Sequence, residues 1–576
     1  MAFNFKSLGY TFACVIMPLF AHAQLLDVSS DLALNTDHTG GYIGAGVSFV
    51  DFNQDGYDDL TFGHHEGELK FYEGTGNSFN EVNLGIDNLG SETKGVYWID
   101  FDNDADLDFF TTNRLAPNKI WRNDGGSFTD ISESSGIDQT LSKSYGMSFG
   151  DYDNDGLLDF YICNYQLWVD TGFENELYHN NGDGTFTNVT ATAGVGNGLK
   201  QSFQATWIDI NLDGFLDLHV VNYRHEFKNA FYINNGDGTF TDMAQSLGTD
   251  LEALAMCSSF EDFDKDGDMD LFVSNGLDGN FMLKNKLNEF GYFVDESSIY
   301  GIEVNDYCWA GEWIDYNNDT WPDLHVSKSI TVYTDYPDIL DQIPPTNDLF
   351  FINNGMAPFN TIPGTITLND HHSFATAQGD FNNDGVPDLV SHRVGETAAF
   401  YKGVPTSNNW IKINLIGTSS NINGVGCSIK LYRTLFTGQI EPLSKVVFAG
   451  DNYLGQDSYT QHFGLGTSAE IANIIVTWSD GSQVEYGAFN VNQEITLTEP
   501  EPLVGCTYQQ ACNYNENAIT DDGSCDLTCL CGENLVWDIE LEQCIPLPTC
   551  PSDIDHSGET DIQDLLVFLT SFGEQC

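Results

Sequence analysis

Short apolar runs alternate with acidic, glycine-bearing loops along most of this chain. One run, typified by Tyr145-Gly-Met-Ser-Phe-Gly, leads into a nine-residue loop. A second, such as Phe160-Tyr-Ile-Cys-Asn or Asp217-Leu-His-Val-Val, leaves it. A third run then meets a turn of the Asn181-Gly-Asp-Gly or Asn235-Gly-Asp-Gly kind, and a fourth run such as Thr185-Phe-Thr-Asn-Val-Thr follows. Runs of this length, bounded by residues that tolerate positive φ, predict strands joined by tight hairpins. The whole unit recurs seven times, with loops starting 49 to 65 residues apart at Asp51, Asp100, Asp151, Asp209, Asp262, Asp315 and Asp380. A period of that length marks stacked or radial repeats.

Each first run keeps a fixed register. Two residues before the loop stands an aromatic in six copies: Phe49, Trp98, Phe149, Trp207, Phe260 and Trp313. Five residues before it stands a small residue in six: Gly46, Gly95, Gly146, Cys257, Ala310 and Ala375. Small residues at one register suit inner strands crowded around an axis, and aromatics fill the space between sheets. The pattern predicts an all-β chain whose main body is a seven-bladed β-propeller. Leu25-Leu-Asp-Val resembles the fourth runs, so it is expected to complete the seventh blade and close the ring, leaving no open sheet edge.

The loops carry the chemistry. Positions one, three, five and nine are Asp51, Asn53, Asp55 and Asp59 in the first and Asp100, Asp102, Asp104 and Asp108 in the second. They are Asp151, Asp153, Asp155 and Asp159 in the third and Asp209, Asn211, Asp213 and Asp217 in the fourth. Asp262, Asp264, Asp266 and Asp270 follow, then Asp315, Asn317, Asp319 and Asp323, and last Asp380, Asn382, Asp384 and Asp388. Alternate oxygen-bearing side chains in a tight loop suit a hard cation that takes six to eight oxygens, which is calcium. About seven calcium ions are expected, each also bound by the position-seven carbonyl. Position six is Gly in five copies, which permits positive φ. Thr320 and Ala105 replace it in the sixth and second loops, so those should bind most weakly.

The loops and the third-to-fourth-strand turns fall on one face. The opposite face carries the longer insertions, and Trp168, Tyr223, Arg224, His225, Tyr333 and Tyr336 are its candidate ligand-binding residues, expected to be exposed. From 404 to 499 alternating strands such as Trp410-Ile-Lys-Ile-Asn-Leu and Ile474-Ile-Val-Thr-Trp, without the Asp pattern, predict a small β-sandwich-like domain. Residues 500–504 read as a stiff linker and 505–549 as a Cys-rich module that needs disulfides to fold. In 550–576, Asp553, Asp555, Ser557 and Asp564 precede the apolar run Leu565-Leu-Val-Phe-Leu, the order of a further calcium loop and helix.

Composition places the chain. With 86 acidic and 20 basic residues its formal charge is −66, which excludes polyanionic partners such as nucleic acid. Lys6, an apolar run from Leu8 to Phe20 and Ala21-His22-Ala23 form an export leader over 1–23, so the propeller spans 24–403 and the protein is expected outside the cell or on its surface. No later stretch is long and apolar enough to be a membrane span. Eight of thirteen Cys lie in 506–576, which fits an oxidising compartment.

The Asp loops resemble FG-GAP or VCBS repeats of the kind found in integrin α-chain propellers. Asn421-Ile-Asn-Gly-Val-Gly426, Gln461-His-Phe-Gly-Leu-Gly466 and Val476-Thr-Trp-Ser-Asp-Gly481 resemble the ASPIC/UnbV domain, and the two together are the layout of the cartilage acidic protein family. Gly505-Cys-Thr-Tyr and Asp521-Asp-Gly-Ser-Cys525 resemble Cys-rich repeats of secreted Bacteroidetes proteins, and the last segment is similar to half of a dockerin. The resemblance implies an extracellular binding or adhesion module for a protein or glycan. A carbohydrate-active enzyme such as a polysaccharide lyase is the alternative, and a structural surface protein the second. Gly146-Met-Ser-Phe-Gly150 fits G-x-S-x-G in letters only, because it lies along a strand rather than at a strand-to-helix elbow. No other catalytic constellation is visible.

Overall fold

The computed structural model describes residues 25–36, 43–65, 68–140, 144–165, 173–329, 347–361, 372–501 and parts of 504–546. The expected leader at 1–23 and the expected calcium loop of Asp553, Asp555, Ser557 and Asp564 lie outside the described residues. Two compact units are present, Met1–Glu499 and Pro500–Cys576.

Seven up-and-down sheets make up most of the first unit. Sheet three is typical, with strands Ser144–Gly150, Asp159–Asn164, Glu176–Asn180 and Phe186–Asn188. Each innermost strand runs into an Asp loop, and the second strand leaves it, so that Gly150 pairs with Asp159 and Ile208 with Asp217. The loop is therefore a hairpin connection, and one register holds its first and ninth residues at the two strand ends. The seventh sheet is Ser373–Gly379, Asp388–Arg393 and Ala399–Gly403. Its fourth strand is Leu25–Asp27, with Leu25 opposite Gly403 and Asp27 opposite Tyr401. The amino-terminal strand thus closes the ring.

The register signals have visible causes. A Cβ on Gly146 would lie 2.5 Å from the Phe203 carbonyl of the next innermost strand, so any side chain there would push two sheets apart. The aromatics bridge sheets: Trp98 stacks on Phe52 at 4.7 Å and Trp313 on Phe263 at 5.8 Å, in each case on the second residue of the preceding loop.

Residues 409–498 form two further sheets. One orders Gln461–Gly466, Asn409–Ile416 and Gln493–Thr498. The other is built on Ile440–Val446, Ser428–Thr434, Glu470–Thr477 and Gln483–Glu485. Ile411, Ile413, Leu431, Phe463 and Ile474 fill the space between them, in a buried cluster continuous with Tyr97, Phe110 and Phe149 of sheets two and three. This sandwich caps the Asp-loop face. From it a strap, 448–459, enters the mouth of the ring. There Gly455–Gln456 pairs in parallel with Val47–Phe49 and makes sheet one five-stranded. Gln456 bonds both the N–H and the carbonyl of Trp98 at 2.8 Å, and the Tyr453 ring packs 5.1 Å from Trp309.

In the second unit Val504–Gly505 pairs with Thr520–Asp521 and Leu535–Asp538 with Gln543–Pro546. A disulfide joins Cys506 to Cys525. Cys163, Cys257, Cys308 and Cys427 of the first unit are buried thiols.

Candidate metal centres

One internal pattern recurs in the loops. In the third, the two oxygens of Asp151 accept the N–H groups of Asp155 at 3.1 Å and Gly156 at 2.9 Å. Asp159 accepts those of Tyr152 at 3.3 Å and of Asn180, from the third strand, at 2.8 Å. The ninth Asp accepts a third-strand N–H in every sheet, from Gly74, Asn123, Asn180, Asn234, Asn285, Asn353 or Gly403. It therefore ties three strands of its sheet together.

These bonds leave oxygens over. Asp102, Asp153, Asp264 and Asn382 at position three each keep a buried oxygen without a hydrogen-bond partner, as do Asp270 and Asp323 at position nine. Asp100, Asp102 and Asp108 offer oxygens within 4.8 Å of one another, as do Asp151, Asp153 and Asp159, and Asp262, Asp264 and Asp266. Burial, then repulsion between these neighbours, raises the carboxyls far above their ordinary range: Asp108 to about 9, Asp151 and Asp217 to about 8. Crowded oxygens that resist ionisation alone are what a hard multivalent cation would relieve, so the donor set fits calcium.

Two features of the loops were not read from the sequence. Position six has positive φ in all seven, including Ala105 at 73° and Thr320 at 83°, but so has position four, at 54° to 60°. Four of those position-four residues are Asn, which tolerates this conformation. Their side chains link the loops: Asn103 donates to the Gly156 carbonyl, Asn154 to Gly214 and Asn318 to Gly385 at 2.8 Å, and Asn383 to Gly56 at 2.7 Å. Gln54 bonds the Ala105 carbonyl, and Lys265 reaches the Thr320 hydroxyl at 2.8 Å. A circle of bonds thus runs from loop to loop, interrupted at Leu212, which has nothing to donate and is 81% exposed.

The second feature is charge matching from the third strand. The residue before its loop-facing N–H is Arg122, His179 or Lys284 beside the loops with Asp at position three. It is Glu73, Ile233 or Ile352 beside three of the four loops with Asn there; Lys402 stands beside the other. His179 lies 3.3 Å from Asp153, Lys284 pairs with Asp264, and Lys402 lies 3.9 Å from Asp384. Asp159, whose carboxylate lies 3.3 Å from its Nδ1, raises the His179 pKa to about 9. Loops with a fourth carboxylate therefore carry a built-in cation beside it.

The sandwich lies directly on this face. Ile422 N–H donates to Asn103 at 3.1 Å, Asn408 to the Asn317 carbonyl at 2.9 Å and Gly466 N–H to the Asn318 carbonyl at 2.8 Å. Lys412 sits 3.3 Å from Asp380. On the opposite face one expectation needs correction: Tyr223 is 4% exposed, its ring packed among Tyr165 and Phe203, because it turns inward to fill the axis. Arg224 donates to Gln201 at 2.7 Å, and His225, exposed, sits 3.2 Å from Asp278. Trp168, Tyr333 and Tyr336 lie outside the described residues. Leu89, Leu115, Leu199 and Leu277 are exposed on that face.

Residues 51–162 and 167–326 match the FG-GAP-like repeat family in overlapping segments, and residues 417–503 match the ASPIC and UnbV family. Cartilage acidic protein 1 of Xenopus tropicalis is 25% identical over 319 residues, covering 52% of this chain and 46% of the relative. The Homo sapiens protein of that name is 23% identical over 352 residues, covering 57% and 42%. The chain thus aligns with less than half the length of either relative. A chain in the crystal structure of BBS1N in complex with ARL6DN, soaked with lead, has a TM-score of 0.42 at 11% identity, covering 67% of this chain and 97% of that one.

Proposed function

As a chain of FG-GAP-like repeats carrying an ASPIC and UnbV domain, this protein is, we propose, an exported calcium-binding propeller that recognises an extracellular protein or glycan on the face opposite its Asp loops. The observation that carries the reading is the placement of the sandwich. It covers the loop face and its strap fills that mouth of the ring, so the other face is the one a partner can reach. There Leu115, Leu199 and Leu277 stand exposed in loops, and Asp278, next to Leu277, lies 3.2 Å from His225. Apolar side chains beside hydrogen-bonding groups suit a binding surface.

Calcium would be held by side chains one, three, five and nine of each loop, fastening the ends of the first two strands. Its part would be structural: it would balance the carboxylates and stiffen the frame behind the recognition face. Export follows from the leader pattern at 1–23.

The test is a screen of glycans and extracellular proteins on the immobilised chain, with calcium and with chelator. Binding that Leu115→Asp and Leu277→Asp each weaken about tenfold, roughly 1.4 kcal/mol, supports the reading. Binding indifferent to both but lost on changing the sandwich would overturn the choice of face. Release of unsaturated sugars would favour the polysaccharide lyase alternative.

A further inference from the structure

The seam where sheet seven meets sheet one breaks the repeat on both of its sides. Position eight of the loop is apolar at Leu107, Leu158, Leu216, Met269, Pro322 and Pro387, but in the first loop it is Asp58. The residue two before the loop is aromatic in six sheets, but in the seventh it is Gln378. Between sheets three and four the repeat gives apolar packing, and a Cβ on Gly150 would lie 3.0 Å from Leu216. At the closing seam a Cβ on the equivalent Gly379 would lie 2.8 Å from an Asp58 oxygen, which accepts the Asp380 N–H at 3.0 Å. Sheet seven is also assembled from two distant parts of the chain. Its hold on sheet one depends on the three pairs that Leu25–Asp27 makes with Tyr401–Gly403.

The strap bonds both of the exceptional residues. Its Ser458 hydroxyl donates to the second Asp58 oxygen at 2.8 Å. Its Asp457 carboxylate accepts the Gln378 N–H at 2.9 Å, and the Ser458 N–H donates to the Gln378 carbonyl at 3.0 Å. The Gln378 side chain goes on to Glu312 at 2.7 Å and the Trp313 carbonyl at 2.8 Å, in sheet six. Beside these anchors Gly455–Gln456 pairs with Val47–Phe49, so one short segment holds the innermost strands of both sheets. The fit is close, because a Cβ on Gly455 would run into the Thr376 carbonyl of sheet seven. Lys412 of the sandwich adds a charge 3.3 Å from Asp380 at the same seam. The strap touches other sheets too: the Ala449 carbonyl accepts the Phe149 N–H at 3.1 Å in sheet three, and Asn452 accepts the Gly311 N–H at 3.2 Å in sheet six. Those contacts seat it across the mouth. At the closing seam the ring's own side chains have changed to meet it.

We propose that the strap is an inner fastener of the ring. By bonding Asp58 and Gln378 it holds the first and seventh sheets together beside the axis, as Leu25–Asp27 holds them on the outside. The propeller is thus closed by its own sandwich, and opening of the ring and release of the strap are one event.

The test is native-state hydrogen exchange on the full chain at fixed calcium, read peptide by peptide by mass spectrometry. Ser458→Ala removes one bond to a carboxylate and should speed exchange about tenfold in Leu25–Asp27, Val47–Phe49 and Ser373–Gly379. Gly455→Ala, which wedges the strap away from Thr376, should speed the same strands further. Ser202–Ile208 and Ser258–Glu261, innermost in sheets four and five, should keep their wild-type rates in both variants. Should Gly455→Ala not fold, Ser458→Ala decides by the same comparison, since it leaves the path of the backbone alone. Exchange that quickens equally in all these strands overturns the proposal, because the strap would then be a general plug. Exchange unchanged in the strands of sheets one and seven overturns it as well.

Discussion

Leu212 gives the circle of loop bonds its test. It holds φ at 58° and is exposed, so it adds almost no burial to offset its strained backbone. A left-handed conformation costs an ordinary residue about 1–2 kcal/mol, less for Asn. In the neighbouring loop Asn154 supplies a 2.8 Å bond to the Gly214 carbonyl, and Gly267 stands at the equivalent position for residue 212. Leu212→Asn should thus relax the backbone and add one hydrogen bond worth about 0.5–1.5 kcal/mol, for a net gain of about 1–2 kcal/mol. Leu212→Gly separates the two terms, because it relieves the strain without the bond. Asn154→Leu should cost about what Leu212→Asn gains. The assay is reversible denaturant unfolding at fixed calcium, read by tryptophan fluorescence. A Leu212→Asn protein no more stable than Leu212→Gly would refute the bond. One less stable than the wild type would refute the geometry of the fourth loop.

Three further expectations rest on the same frame. If the loops hold calcium, chelator should lower the melting temperature, since a site at one hundred times its Kd adds about 2.7 kcal/mol; Thr320→Gly should tighten the weakest loop, and titration showing seven equal sites without it would count against that ranking. The raised carboxyls of Asp59, Asp108 and Asp217 bind protons in the folded state, at about 8, 9 and 8, that the unfolded chain has shed above about pH 4. Their contribution is therefore full in acid and lost as pH rises through those values, so melting in chelator should fall between about pH 4 and pH 9 while calcium flattens the trend. Tyr453→Ala removes a ring packed 5.1 Å from Trp309 and 5.7 Å from Phe203 and a 2.9 Å bond to the Ile43 carbonyl, and should cost about 3–5 kcal/mol in denaturant unfolding.

The repeats were legible because their signals are local. Nine residues carry a loop, and the aromatic and small residues fall at fixed distances from it. Closure by Leu25–Asp27 was also legible, since the strand repeats the pattern of other fourth strands. Position four was hidden because Gln54, Leu212 and Lys265 mask the preference that its four Asn residues express. Charge matching between position three and the third strand shows only when residues such as Asp153 and His179 are seen together. The strap could not be read at all. Asn452 to Gln456 has the composition of any surface loop, and only pairing with Val47–Phe49, some four hundred residues earlier, gives it a role.

That the first strand belongs to the last sheet also orders events in time. Leu25–Asp27 finds its partners only when Tyr401 to Gly403 has been made, roughly 380 residues later. At about 5–20 residues per second, synthesis takes on the order of 20–80 s to get there. Throughout that interval two sheet edges stay raw, and a neighbouring nascent chain could supply the missing strand as readily as the chain's own beginning. Crowded synthesis should therefore yield interlocked oligomers, whereas dilute refolding should return closed single chains.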